Sequence, residues 1–488
     1  MSGKGFIRGG VMHWLKLLLA GMLLALMPAM AQARPAMPAL VFDLNSGEVL
    51  LAHDAGQPWY PASLTKLMTA WLVLEAVSAG RLSFDDEVVI SRRVVNGVER
   101  GAAKYGVKPG QRMTIGTMLT FLMVRSDADM ALALAEAVAG DVPRFVRMMN
   151  AAARRLNMTA THFTNPHGMH DDAQKTTARD MALLARAIYM RHLRRHADWW
   201  RFFSLRKVKK TVVRKGKPRT VELKNRNHLL FMMPEANGMK TGFLCSSGFN
   251  LLATARRDGM QLGVVVFGRR SAYNRAAVAR VLLEEGFRRR RAGQGLRIPV
   301  SRLANVATHA PNMTHSICRT RILPRVDAQE LAGWGVVLGP FANVLRAVAI
   351  TEAELLAAEL MDEARLAYGV SPVSVKVLQQ AGLLARWREK NRGKRLRRRG
   401  VAAGFVWRLG EGQAVELCRR ARAHGVSCAV LAPRELAALG ALLPRPKTRA
   451  GKGKGAMAGA PRPRKRPARV NFSSRAATLR AGKAAATP

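Results

Sequence analysis

Acidic side chains are scarce in this chain. Its 488 residues hold 32 Asp and Glu against 80 Lys and Arg, a formal charge of +48, and no acid follows Glu435. Such an imbalance speaks about partners and solubility rather than fold. It leaves nucleic acid, an anionic membrane face or an anionic polymer such as a cell wall as candidate partners. Cysteine is also rare, with only Cys245, Cys318, Cys418 and Cys428. That excludes a disulfide scaffold while leaving room for a bridge in an exported chain. No cysteine spacing resembles a zinc site. His162, His167 and His170 gather in a loop-like stretch with Gly and Pro between them, and no carboxylate pattern completes a ligand set. No metal or cofactor is expected.

The apolar run Leu17–Met27 is short for a membrane span, which needs roughly 20 residues. Lys4, Arg8 and Lys16 precede it and Ala31-Gln32-Ala33 follows, the layout of a secretory signal with cleavage after Ala33. An uncleaved anchor is the alternative. Export takes the chain away from genomic nucleic acid, and the aromatic RNA-binding signature is missing. An envelope or periplasmic location and a partner of the wall or membrane type are therefore expected, with no nucleic acid.

The hydrophobic share of 49% is ample for two or three units. Ala39–Asp43, a turn at Ser46-Gly47-Glu48 and Val49–Leu51 read as a hairpin. Apolar residues recur at helical spacing from Ser63 to Val77, placing Ser63 at a helix N-terminus one turn from Lys66. Gly116–Ala139 reads helical with a polar break at Arg125–Asp129, and Thr177–Met190 and Ala276–Phe287 read as helices. Leu244–Ala255 and Gln261–Phe267 read as strands. Residues 291–332 have the composition of a linker. Beyond them, strands at Trp334–Gly339, Val373–Leu378, Phe405–Leu409 and Val426–Leu431 and helices at Thr351–Tyr368 and Glu411–His424 give a βαββαβ unit. A basic run, Arg388–Arg399, interrupts it. Residues 434–488 read as a disordered cationic tail.

Three stretches can carry chemistry: Ser63-Leu64-Thr65-Lys66, Ser126-Asp127-Ala128 and Lys240-Thr241-Gly242. A serine hydroxyl is a weak nucleophile without a base in hydrogen-bond reach. An ordinary lysine, with a pKa of about 10.4, is a proton donor. Burial or a neighbouring cation lowers that value and makes the amine an acceptor. Taken alone, Ser63 and Lys66 read better as an N-cap serine and a solvated lysine. Lys240-Thr241-Gly242 opens an apparent strand whose edge can bond a peptide laid beside it. Lys240 and Thr241 offer donors to a terminal carboxylate, and the N–H groups of Ser63 and Phe243 could hold a developing oxyanion.

These blocks, in this order, resemble the serine D-alanyl-D-alanine carboxypeptidases, the low-molecular-mass penicillin-binding proteins of the peptidase S11 type. The resemblance covers residues 36–290. It extends to Tyr60–Thr69, Val107-Lys108-Pro109-Gly110, Asn165-Pro166-His167-Gly168, Thr177-Ala178-Arg179-Asp180, Gly238–Phe243 and Ser247–Leu251. It implies an α+β, two-domain protein whose first domain (34–290) is β-lactamase/transpeptidase-like, an antiparallel sheet flanked by helices plus a helical subdomain. It further implies that Ser63 forms an acyl-enzyme, Lys66 activates it and Ser126 relays a proton. Lys240, Thr241, Gly242 and Phe243 would bind the stem pentapeptide of peptidoglycan or a β-lactam. Where the family has an Asn that binds the substrate amide, this chain has Ala128. Asp127 and Asp129 are candidate substitutes. A β-lactamase would need a glutamate to activate the deacylating water, and no convincing loop supplies one. The local sequence around Ser63 is not G-x-S-x-G. The two readings left are an active carboxypeptidase and a catalytically impaired relative that binds peptidoglycan.

Residues 333–433 resemble the SPOR domain, on Trp334–Phe341 and Ala414–Val430. That resemblance implies binding to glycan strands and places Cys418 on a helix beside Cys428 on a strand. A bridge and a pair of buried thiols are equally compatible with it. The basic tail would add attraction to anionic wall polymer or lipid.

Overall fold

The computed structural model describes residues 37–214, 217–319, 326, 328–361, 367–383 and 401–443. The expected signal segment, the basic run 388–399 and the tail from residue 444 lie outside the described residues.

Five antiparallel strands form the main sheet: β1 (Ala39–Asp43), β2 (Val49–His53), β7 (Ala236–Leu244), β8 (Gly248–Arg257) and β9 (Met260–Arg269), in the order β2-β1-β9-β8-β7. Both faces are apolar because both are covered. One packs against the Ala272–Arg291 helix through Val264, Val266, Val278 and Leu282. The other meets a helical layer through Phe42, Leu252, Val265 and Phe267. Among the described residues strand β7 pairs only with β8, and its second edge carries no strand. Lys240-Thr241-Gly242 lies in the middle of this edge strand rather than at its start, as the sequence reading had it.

The helical layer surrounds the Lys66–Ser78 helix, nearly all of whose side chains are buried. A helix apolar on every side has no solvent face to offer and so occupies a centre. The Ile115–Val124, Ala128–Ala139, Val142–Arg155 and Ala178–Ile188 helices enclose it. Two short strands, β3 (Glu87–Val89) and β4 (Arg112–Thr114), pair at one side. A hairpin that the sequence reading missed, β5 (Lys207–Arg214) with β6 (Lys217–Lys224), projects at another.

The stretch assigned to a linker by its composition packs back along this body. Arg179 donates to Leu303 O and Ser301 O, Thr177 to Asn305, and Val306 N to Gly56 O. A disulfide joins Cys318 to Cys245, one residue beyond β7.

A second sheet, β11-β12-β10-β13, comprises β10 (Trp334–Phe341), β11 (Ala367–Val373), β12 (Val401–Leu409) and β13 (Cys428–Leu431). The Val344–Ala357 and Glu411–Ala423 helices cover one face, and Cys418 is bridged to Cys428. Two boundaries differ from expectation. The first helix is Val344–Ala357, not Thr351–Tyr368, because the Asn343 side chain accepts from Arg346 N and starts it early. The expected strand Val373–Leu378 straddles the end of β11 and a helix, Val375–Gln380, which Ser374 caps. The stretch read as tail begins inside another helix, Pro433–Gly440. Leu436 and Leu439 of that helix pack with Val377, Phe405 and Trp407, so the second face of this sheet is covered too.

The two sheets share apolar packing where the Val344–Ala357 helix lies on the Ala272–Arg291 helix. Charges are buried with it. Glu285 accepts from Arg288, Arg289 and Arg420, and Arg269 lies 3.7 Å from Glu352. Buried ions in such a setting are costly unless each has a partner.

Candidate active site

Ser63 sits in a single tight turn, Ala62–Thr65, immediately before the buried helix that begins at Lys66. The turn is held in place by neighbours. Asn250 Nδ2, from near the start of β8, donates to Tyr60 O at 3.0 Å. Strand β7 comes so close that a Cβ on Gly242 would stand 2.8 Å from Pro61 O. Gly168 is tighter still: it has φ +81°, and a Cβ there would fall 1.9 Å from Ala62 O. Only glycine fits that contact and that backbone.

Lys66 Nζ lies 3.1 Å from Ser63 Oγ and also donates to His167 O. Full burial drives its pKa down to about 7, with Asp127 pulling the other way. A large share of this amine is therefore neutral at neutral pH and able to accept the Ser63 proton. The same burial, reinforced by Lys66, holds His167 near 3, so the imidazole stays neutral.

Ser126 and Lys240 form the second pair. Lys240 Nζ donates to Ser126 Oγ at 2.9 Å and to Thr241 O at 3.0 Å, and burial with the nearby Lys66 charge pushes its pKa well down. Ser126 has φ +68°, a left-handed conformation that non-glycine residues adopt at a cost. It lies in the break between the Ile115–Val124 and Ala128–Ala139 helices, and that conformation sets its hydroxyl against Lys240.

A cavity of about 300 Å³ joins these groups. Ser63, Ser126, Thr241, Gly242 and Phe243 line it, with Gly101–Ala103, Gly168, Met169, Arg226, His228 and Arg275. Lys66 and Lys240 stand behind the two serines and reach it through them. Ala128 does not line it. Its N–H donates to Ala103 O at 2.7 Å, and its side chain is buried. Asp129 is no substitute for the missing amide, because its carboxylate accepts from Tyr105 N and Gly106 N and is used up in holding that loop. Asp127 is raised to about 6 by burial and by Asp129. Above that pH it is a carboxylate, which accepts hydrogen bonds but donates none.

Sequence reasoning missed Arg226 and Arg275. Arg275 is buried and donates to Gly242 O and Arg226 O, with no carboxylate within ion-pair distance among the described residues. Burial lowers its pKa to about 9. No local spacing marks either arginine.

A family model described as D-alanyl-D-alanine carboxypeptidase, Peptidase S11, matches residues 27–271, half of the chain. The chain belongs to this family. Among curated relatives, D-alanyl-D-alanine carboxypeptidase DacD of Salmonella typhimurium is 35% identical over 251 residues, 51% of this chain and 61% of that protein. DacC of Escherichia coli is 33% identical over 253 residues, covering 51% and 60%. The chain thus spans less than two thirds of the length of these curated relatives. Penicillin binding protein 5 from Haemophilus influenzae is 31% identical, with a TM-score of 0.47 over 52% of this chain and 71% of that one. Penicillin binding protein 6B from Escherichia coli is 32% identical, with a TM-score of 0.46 over 52% and 79%.

Proposed function

We propose that this chain is a serine-type D-Ala-D-Ala carboxypeptidase of the cell envelope, removing the terminal D-alanine from peptidoglycan stem pentapeptides. The observation that carries the reading is the Ser63–Lys66 pair, 3.1 Å apart, with the amine buried and its pKa near 7. Lys66 takes the Ser63 proton as Oγ bonds to the carbonyl carbon of the penultimate D-alanine. The N–H groups of Ser63 and Phe243 stabilise the oxyanion. The C–N bond breaks, a proton relayed by Ser126 reaches the leaving amine, and free D-alanine departs. Water then hydrolyses the Ser63 ester. Lys240, Thr241 and Gly242 grip the terminal carboxylate and the backbone of the substrate along the open edge of β7. A β-lactam acylates the same serine and stays. No glutamate lines the cavity among the described residues, which disfavours a β-lactamase.

A second reading has its own support. With Ala128 in place of the amide and Asp129 tied to its loop, a substrate contact is lost that would be worth about 10²–10³ in rate, by analogy with oxyanion-hole deletions. A slow relative acting chiefly by binding peptidoglycan is the alternative. Fluorescent penicillin separates the two, together with D-alanine release from a pentapeptide. Labelling lost in Ser63→Ala, with turnover, supports the enzyme. Labelling without turnover supports the binder. No labelling removes both the acyl-enzyme and the carboxypeptidase.

The chain reaches the periplasm, in this reading, by removal of residues 1–33. Residues 333–433 act as a SPOR-like module on glycan strands, a reading supported by the four-stranded sheet with the Val344–Ala357 and Glu411–Ala423 helices on one face. The basic tail attracts the protein to anionic wall polymer or lipid.

A further inference from the structure

The β5–β6 hairpin takes no part in the chemistry of Ser63, yet it is heavily cationic and stands beside the cleft. Residues 207–224 hold eight Lys or Arg and one acid, Glu222. The register divides it into two faces. Val208/Leu223, Lys210/Val221 and Val212/Arg219 share one; Lys207/Lys224, Lys209/Glu222 and Thr211/Thr220 share the other. The first face turns toward the body, since Val208 and Leu223 pack on the main core. Glu222, on the second face, is taken by Lys207 at 2.7 Å.

Lys210 fixes where the first face points. Its Nζ donates to Tyr105 O and lies 3.8 Å from the centre of the Tyr105 ring. Tyr105 follows Gly101–Ala103, which form one rim of the cavity. Beyond Lys210 the hairpin runs on past the body, carrying Arg219 on that face and Lys217 near its tip. Both are exposed, and neither meets a carboxylate within 4 Å among the described residues. Exposed cations that their own chain leaves unneutralised are favoured when an anionic ligand lies among them.

We propose that this face of the hairpin is an accessory subsite for carboxylates of the stem peptide that lie outside the terminal dipeptide. It rests on the reading of the cleft as a D-Ala-D-Ala site and adds to it a preference for acidic over amidated stems. Exposed charge pairs are worth a few-fold each, so two contacts make roughly a tenfold preference at low salt, fading as salt is raised.

The test uses the full chain and a stem pentapeptide whose side-chain carboxylates are either free or amidated, with the terminal carboxylate intact in both. D-alanine release should show a KM about tenfold lower for the free-carboxylate peptide. In Lys217→Gln/Arg219→Gln that difference should collapse, with kcat and penicillin acylation unchanged. Calorimetric binding of both peptides to Ser63→Ala, with and without the two hairpin changes, gives the same comparison without turnover. If penicillin fails to label and no D-alanine is released, the catalytic reading falls while the calorimetry still judges the hairpin. Equal affinity for the two peptides, or an equal loss for both in the hairpin variant, overturns the subsite.

Discussion

Acylation of Ser63 should follow the titration of Lys66, with a midpoint near neutrality. The perturbation is pH, and the magnitude comes from burial. An amine with an ordinary pKa of about 10.4 would be less than about 1% neutral anywhere below pH 8. Burial of Lys66 brings that value to about 7. The reactive species is the neutral amine, so rate is gained as pH rises and lost as it falls. A single titration at that pKa leaves roughly 9% neutral at pH 6 and roughly 91% at pH 8, a tenfold rise, then a plateau. Asp127 favours the charged form of Lys66. Asp127→Asn should therefore move the midpoint to lower pH. The assay is the second-order rate of labelling by fluorescent penicillin between pH 5.5 and pH 9.5. A rate still climbing past pH 9 without levelling, or a midpoint moved upward in Asp127→Asn, would refute the assignment of Lys66 as the base.

Ala128→Asn should raise the turnover number for D-alanine release by about 10²-fold if the missing amide limits the reaction. An unchanged turnover number would show that it does not. Gly168→Ala should lower the melting temperature and abolish penicillin labelling. The new methyl group would overlap Ala62 O, and the backbone stays at φ +81°, together costing about 2 kcal/mol or more. A stable, fully labelled variant would contradict the packing described for the nucleophile turn. The double change Cys245→Ser/Cys318→Ser opens a loop with a sequence separation of 73 residues. The chain-entropy relation puts the loss at about 4 kcal/mol, read as a lower denaturation midpoint. A midpoint equal to that of the native chain would show that the bridge adds nothing.

The reading of the sequence succeeded where chemistry is local. Ser63 and Lys66 are three residues apart, so any helical turn sets them together. The hairpin β1–β2 and the break at Arg125–Asp129 were legible because turns and helix interruptions are written in adjacent residues. Element ends were harder. Ala, Leu and Glu fill the Thr351–Ala357 stretch without saying where the helix starts, and the deciding group was one capping side chain, Asn343. The β5–β6 hairpin escaped because lysines occupy both its faces and mask the alternation that marks a strand.

By itself, then, the order of residues pointed to the family, placed the Ser63 hydroxyl one turn from the Lys66 amine, and revealed the substitution at Ala128. Those are properties of short contiguous blocks, which need no knowledge of distant partners. Only the tertiary structure decided that Lys240 reaches across to Ser126, that β7 packs its Gly242 against the turn holding Ser63, and that Asp129 is spent on the loop at Tyr105. It also decided the protonation of the site. The Lys66 amine is held near 7 because the fold removes water from it, and burial is a property of the whole molecule rather than of any stretch of chain.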